Sequence, residues 1–233
     1  MNELNISKRL QTIATFVPKE AYFADIGADH GYLASYICMK DETAYGIASD
    51  VNEGPLLSAK HTVEKYSLKN RISLRLGDGL SAIKSEQVTT VIIAGMGGNL
   101  ISNILQNGRE HLTSVQRLIL QPNIGEAMVR KWLYNNHFSI VDEKVIEEQN
   151  KIYEIIVADK IKNDEQMTEK DFLFGPILRN ERSCIFLKKW QERKNRLQGV
   201  LRQMKQGKNV DKEKFTSFQE QLLWIKEELE NET

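Results

Sequence analysis

Four carboxylates and seven glycines fall at the ends of short apolar runs, and their types suit a nucleoside that carries positive charge. Asp25-Ile-Gly-Ala-Asp-His-Gly31 closes the run Tyr22–Ile26. Gly27 and Gly31 allow a sharp turn and let a ligand approach the backbone closely. Asp50, followed by Val51, ends the run Ala44–Ser49 and stands 19 residues beyond Gly31. A carboxylate there accepts both hydroxyls of a ribose. Gly77-Asp78-Gly79 follows Ile72–Leu76, and an acid at that point accepts a hydrogen bond from an adenine amino group. Gly95-Met96-Gly97-Gly98 follows Val88–Ala94 and leaves space beside the ligand. Taken singly, each glycine pair suits a turn without a ligand, and Asp50 or Asp78 suits a helix N-cap. Their coincidence at the ends of four consecutive runs favours one shared site.

The elements that must position these residues alternate in hydrophobic period. Strand-like runs at Tyr22–Ile26, Ala44–Ser49, Ile72–Leu76, Val88–Ala94 and Gln116–Gln121 are separated by amphipathic stretches at Tyr32–Met39, about Glu53–Ser67, Asn99–Leu105 and Gly125–Asn136. Strand–helix alternation implies right-handed βαβ units and a mostly parallel sheet, whose carboxyl edge is where ligands bind. In the stretch from Glu53, residues Leu56, Leu57, Ala59, Lys60, Val63 and Tyr66 keep helical spacing. Phe138–Ile146 and Ile152–Ala158 then follow with only Asn150 and Lys151 marking a turn, so they read as an antiparallel hairpin. The fold class is α/β: a Rossmann-like sheet of the SAM-dependent methyltransferase type, five parallel strands plus an antiparallel hairpin. Residues 1–160 are expected to form this domain.

Charge selects the cofactor. A dinucleotide loop needs Gly-x-Gly-x-x-Gly with a pyrophosphate on the helix N-terminus. Here Asp29 replaces the middle glycine, and a carboxylate at that place repels phosphate. S-adenosyl-L-methionine (SAM) has no phosphate, and its sulfonium and amino groups are cationic, so Asp25, Asp29, Asp50 and Asp78 favour SAM over NAD.

Residues 161–233 differ in texture and are expected to form a helical coiled-coil domain. Polar Ile161–Lys170 reads as a linker. Two helical patterns follow, about Ser183–Gln206 and Asp211–Glu230, joined at Gly207-Lys-Asn-Val, and they predict a C-terminal antiparallel coiled-coil hairpin. Phe215, Phe218, Leu222, Ile225 and Leu229 form a heptad seam in the second. Phe186, Trp190, Leu197, Val200 and Met204 form a similar one in the first, interrupted by Arg193. Trp190 and Trp224 read as hairpin core before base-stacking platforms.

Composition sets the outer bounds. The chain has 233 residues, 41% hydrophobic and 27% charged, with zero formal net charge. The two cysteines, Cys38 and Cys184, form no CxxC, which argues against a disulfide framework or a zinc site and fits a reducing cytosol. No stretch approaches the ~20 apolar residues that span a bilayer. The expected localisation is cytoplasmic, with no membrane and no metal partner. Zero net charge conceals a local imbalance. From Arg179 to Lys208 ten basic residues face two acids, and from Asp211 to Glu232 three face seven. A hairpin often pairs a basic helix with an acidic one, but the surplus on the first exceeds what the second neutralises. It leaves a stripe, including Lys188, Lys189, Arg193 and Arg196, suited to a phosphate backbone. Lys8 and Arg9 extend the basic surface near the cofactor edge. A hairpin pairs within a chain or between chains; a monomer is the favoured reading.

With these residues in view, the sequence resembles the bacterial TrmK family of tRNA adenine-N1 methyltransferases, which act on adenine 22. The resemblance spans nearly the whole chain: Ser7-Lys-Arg-Leu10, Asp25 to Leu33, Ser49-Asp-Val-Asn52, Gly77-Asp-Gly79, Ala94-Gly-Met-Gly-Gly98 and Gln121-Pro-Asn123. It implies SAM contacts from Asp25, Gly27, Asp29, His30, Gly31, Asp50, Val51, Asp78, Gly79, Gly95 and Met96. It also implies an adenine ring nitrogen in tRNA as acceptor. Adenine N1 is itself the nucleophile, so the reaction needs positioning more than a strong base. The methylated ring is cationic, and Asp29 is the candidate to stabilise it or to assist proton loss; binding the methionine amino group is the alternative for the same residue. His30 reads as loop architecture before acid–base catalysis. Gly97, Gly98, Gln121, Pro122 and Asn123 line the expected base pocket, although Pro122 equally rigidifies a strand end. A non-catalytic SAM- or RNA-binding module on the same fold is the competing reading.

Overall fold

The computed structural model describes residues 4–84, 86–161, 166–206 and 211–230. Two compact units divide the chain, Met1–Gly175 and Pro176–Thr233.

In the first unit the β-branched runs form seven strands: β1 (Tyr22–Ile26), β2 (Tyr45–Asp50), β3 (Ile72–Leu76), β4 (Thr90–Gly97), β5 (Arg117–Ile124), β6 (Ser139–Glu148) and β7 (Lys151–Asp159). They lie in the order β3-β2-β1-β4-β5-β7-β6. The first five pair in parallel, and β7 joins β5 and β6 antiparallel. The expected five strands and closing hairpin are therefore present. Helices α1 (Lys8–Thr15), α2 (Tyr32–Lys40), α3 (Glu53–Lys65), α4 (Gly98–Asn107) and α5 (Glu126–Asn135) cover the sheet. Strand alternation separates two buried clusters, one including Ala24, Val91, Leu118 and Ile156, the other Phe23, Ile92, Ile119 and Val157. Asp25 falls in phase with Phe23, so its carboxyl sits within a packed sheet and is itself buried.

Three local expectations change. The hairpin turn is Gln149-Asn150, not Asn150-Lys151: Lys151 pairs with Glu148, and both turn residues have positive φ. Such a two-residue turn matches the twist of its strands. Of the residues counted in the helical spacing from Glu53, Leu57 and Lys60 are exposed, and Thr62 is buried with Ala59 and Val63. The first unit also runs past residue 160 to take in α6 (Glu169–Phe174). Thr168 and Asp171 form its capping box, and Phe172 and Phe174 are buried. Arg130 Nη1 donates to the Phe172 carbonyl at 3.1 Å, which ties α6 to α5.

The second unit contains α7 (Pro176–Glu181), α8 (Cys184–Gln206) and α9 (Lys212–Glu230). Arg182 lies against Glu228 at one end, and Lys205 lies over the Phe215 ring near the other, so α8 and α9 are antiparallel. Phe186, Trp190, Leu197 and Leu201 are buried from α8, and Ile225 from α9. Leu201 takes the buried place that Val200 and Met204 were expected to share. The joining turn at Gly207–Val210 and Lys208 of the basic stripe lie outside the described residues. No helix among the described residues is long and apolar enough to cross a membrane.

Candidate functional site

The strand order reverses between β1 and β4, and a cavity of about 360 Å³ opens there at the carboxyl edge. Backbone geometry shapes its floor. The N–H groups of Gly27 and Ala28 both donate to the Ser49 carbonyl, at 2.8 and 2.9 Å, which fastens the loop after β1 to β2. Gly27 has φ +74°, and a side chain there would collide with the Met96 methyl. Gly31, at φ +64°, opens α2 and packs against Ala59 of α3. Between them His30 also takes a left-handed conformation, stacks on Tyr32 with centroids 5.4 Å apart, and stands 3.4 Å from Asp29.

Three acids face the cavity from different depths. Asp25 is buried on the floor, where loss of water pushes its pKa up to about 7 while Arg9 pulls it down. Asp50, half-buried, accepts hydrogen bonds through Oδ1 from the Asn52 backbone at 2.8 Å and its side chain at 3.3 Å. Asp29 is at the rim, its side chain 72% exposed. Gly95 and Met96 complete the wall predicted from sequence, and Leu10, Ala28, Tyr32, Leu33 and Ala94 join it. Gly95 sits where the β4–β5 register is irregular, at φ +80°, a bulge that turns the strand end toward the cavity.

Four expected cofactor residues stand outside this wall. Gly31 and Gly79 are buried in packing, Gly79 against Ile104. Val51 is exposed beside Asp50. Asp78 occupies the N-cap position of a short 3-10 turn, Gly79–Ile83, yet makes no capping hydrogen bond. The Gly77 N–H donates to the Asp50 carbonyl at 3.0 Å, so Asp78 belongs to the same edge as Asp50.

Of the expected base-pocket residues, none lines the cavity, and Gln121 and Asn123 are joined by hydrogen bonds to Arg9 and Gly95, which do. Arg9 Nη1 donates to Gln121 Oε1 at 2.6 Å, Gln121 Nε2 to Asn123 Oδ1 at 3.2 Å, and Asn123 Nδ2 to the Gly95 carbonyl at 2.7 Å. Pro122 is buried at the end of β5, and Gly97 and Gly98 continue β4 into α4. Arg9 reaches the cavity because Glu148, at the end of β6, accepts from the Lys8 and Arg9 backbones at the start of α1. Its guanidinium also lies over the Tyr153 ring, 5.5 Å from the centroid. Glu148 and Tyr153 carry no sequence signal of this role, since each reads as an ordinary strand residue. Lys188, Lys189, Arg193 and Arg196 lie on α8 in the second unit. There Arg179 and Arg182 are absorbed by ion pairs with Glu228, while Arg196 and Arg202 are exposed. Among the described residues no cluster of three His, Cys, Asp or Glu side chains is placed to hold a metal ion.

The cavity volume is within the ~300–1,000 Å³ of small-molecule sites, and its acids suit a cationic nucleoside. Comparison with known proteins agrees with that chemistry. Residues 23–227 match the family model of TrmK, described as tRNA (adenine(22)-N(1))-methyltransferase. The chain is 40% identical to the tRNA (adenine(22)-N(1))-methyltransferase of Bacillus subtilis (strain 168), covering 99% of this chain and 100% of that one. It is similar to the crystal structure of the B. subtilis M1A22 tRNA methyltransferase TrmK, with TM-score 0.91 and coverage of 98% and 100%. Streptococcus pneumoniae Sp1610, solved in complex with S-adenosyl-L-methionine, is similar at TM-score 0.87 and 39% identity, covering 97% and 100% of the two chains. With its acid-lined cavity at the strand switch, this chain belongs to the TrmK family, the tRNA (adenine(22)-N(1))-methyltransferases.

Proposed function

We propose that this chain methylates N1 of adenine 22 in tRNA with SAM as the methyl donor, and that its acids act at different depths of one cavity. When bound, SAM supplies a methyl carbon activated by a positively charged sulfur. Asp50 accepts the ribose hydroxyls, through the carboxylate that the Asn52 backbone already orients. Asp25 on the floor, once ionised, offsets the cofactor's positive charge. Asp78 and Val51, on the neighbouring strand ends, receive the adenine moiety. Among the described residues that line the cavity, Asp29 is the most exposed acid, at the rim where an incoming base would meet it. From there its carboxylate stabilises the positive charge that the adenine ring acquires as N1 takes the methyl group. Buried Gln121 holds Arg9 at the cavity wall, where its guanidinium can meet the base, and Asn123 keeps Gly95 in place. N1 lies on the Watson–Crick edge, so the target must leave its stack before it reaches the cavity. The basic face of α8, with Lys188, Lys189, Arg193 and Arg196, supports docking of the tRNA phosphate backbone.

The observation that carries this reading is the acid-lined cavity opening beside the Arg9–Gln121 bond. Incubation with methyl-labelled SAM and unmodified tRNA, followed by digestion to nucleosides, tests it. The label is expected in N1-methyladenosine at position 22. Label elsewhere refutes the assignment, and SAM binding without label in RNA would leave a binding module. Charge reversal of Arg193 and Arg196 is expected to weaken tRNA affinity and leave SAM affinity unchanged; unchanged tRNA affinity would overturn docking by α8.

A further inference from the structure

β4 and β5 end together, with Gly97 opposite Ile124, and each strand turns directly into a helix. The two helix starts are pressed against each other: a side chain at Gly98 would collide with the Gly125 carbonyl, and Gly125 has φ +79°. This close approach brings the first turns of α4 and α5 to one rim, and three large apolar side chains are left in solvent there. Leu100 is 52% exposed, Ile124 73% and Met128 46%. Ile124 is the most exposed isoleucine of the sheet, at the carboxyl end of a strand whose preceding residues Leu118 to Leu120 are fully buried. Its position is also fixed. Asn123, immediately before it, is hydrogen-bonded to the carbonyl of Gly95, which lines the cofactor cavity. The apolar rim is thus continuous with the mouth through which a base must enter.

We propose that Ile124, flanked by Leu100 and Met128, is a wedge that enters the tRNA base stack at the place vacated by the target adenine. Extruding a base costs its stacking, and an apolar side chain inserted between the remaining bases offsets part of that loss. Carbon-only side chains suit this task because any base presents an apolar face to them, and no hydrogen-bond register has to be met. The wedge keeps the target out of the stack while Asp29 and the Arg9–Gln121 network meet it. This inference rests on the adenine-N1 reading of the site.

The test compares the full chain with Ile124→Ser and Ile124→Met, solvent-exposed changes that leave the buried core untouched. Three readouts are taken: kcat and KM for methylation of unmodified tRNA, SAM affinity, and fluorescence of a tRNA carrying 2-aminopurine in place of the target adenine. The native chain should brighten the 2-aminopurine on binding. Ile124→Ser should lower kcat about tenfold with KM changed less than about threefold, lose most of the brightening, and bind SAM normally. Ile124→Met should retain both activity and brightening. A serine variant with native kcat and native brightening would overturn the wedge. So would one whose only change is in the sedimentation of the free chain, which would mark the rim as a contact between copies. If the native chain itself methylates no adenine in tRNA, the underlying reading fails instead, and the two failures are told apart.

Discussion

Two groups of carboxylates in the first unit carry the same charge in opposite circumstances. Glu143 and Glu154 are fully buried and each lies 2.7 Å from the guanidinium of Arg130, itself fully buried. The remaining Arg130 donors reach the carbonyls of Phe172 and Leu173. Burial alone would drive the arginine toward losing its proton, and the two glutamates hold it charged, with its pKa raised. Asp25, Asp29 and Asp50 line a cavity instead, with no lysine or arginine at ion-pair distance among the described residues. The first group is complete within the chain and joins α5, β6, β7 and α6. The second is completed from outside, by a ligand of opposite charge. Buried charge that is satisfied serves the fold, and charge left facing a cavity serves binding.

Breaking the complete group should have the largest effect. Arg130→Met leaves two carboxylates buried without their cation and should cost about 3–5 kcal/mol in denaturant unfolding. Adding Glu143→Leu and Glu154→Leu should restore most of that loss, because the uncompensated charges go with it. If Arg130→Met cost less than about 1 kcal/mol, the satisfied group would not be holding the fold. Asp50→Ala should do the reverse. Its unfolding free energy should stay within about 0.5 kcal/mol of the native chain. Calorimetric SAM affinity should fall about 10- to 100-fold through lost charge-assisted hydrogen bonds.

The buried floor acid makes the comparison dependent on pH. Burial raises the pKa of Asp25 from its ordinary 3.8 to about 7, so the folded chain holds its proton more tightly than the unfolded chain. Its contribution to stability is present below the unfolded pKa and is lost as pH rises toward 7. Cofactor binding runs the other way, because a cation prefers the ionised carboxylate. SAM affinity should therefore rise through about pH 7 as ligand-free stability falls, and Asp25→Asn should flatten both curves. An affinity curve that is identical in the variant would remove Asp25 from cofactor binding.

Much of the cavity is legible in the sequence, because a strand end is marked by the residues it requires. The runs at Tyr22–Ile26 and Ile72–Leu76 coincide with β1 and β3, and the loop glycines take the positive φ that a tight turn needs. Asp25, Asp29 and Asp50 converge because parallel strands deliver their carboxyl ends to one edge. What stays illegible depends on distant contact. Arg130, Glu143 and Glu154 read as surface charges on separate elements, and only folding makes them one group. Helix α6 has only six residues and begins within the polar stretch read as a linker, and its place comes from burial of Phe172 and Phe174 and from Arg130 binding its carbonyls. The hairpin turn is displaced by one residue because Gln149, a poor left-handed residue, is held there by the pairing of β6 with β7. Glu148 meets α1 across 140 positions of sequence, a separation no local pattern reports.

The smallest structural change should then separate the two kinds of cavity acid. Asp29→Asn keeps the shape of the rim and removes one exposed charge, so stability should move by less than about 0.5 kcal/mol. The decisive measurement is the single-turnover rate of adenine methylation by this variant at saturating SAM and tRNA. A rate at least about tenfold below native, with SAM affinity within about threefold, is the expected result for a carboxylate that faces the developing charge. A native rate at saturation, with only SAM affinity reduced, would contradict it and make Asp29 a further cofactor ligand beside Asp25, Asp50 and Asp78.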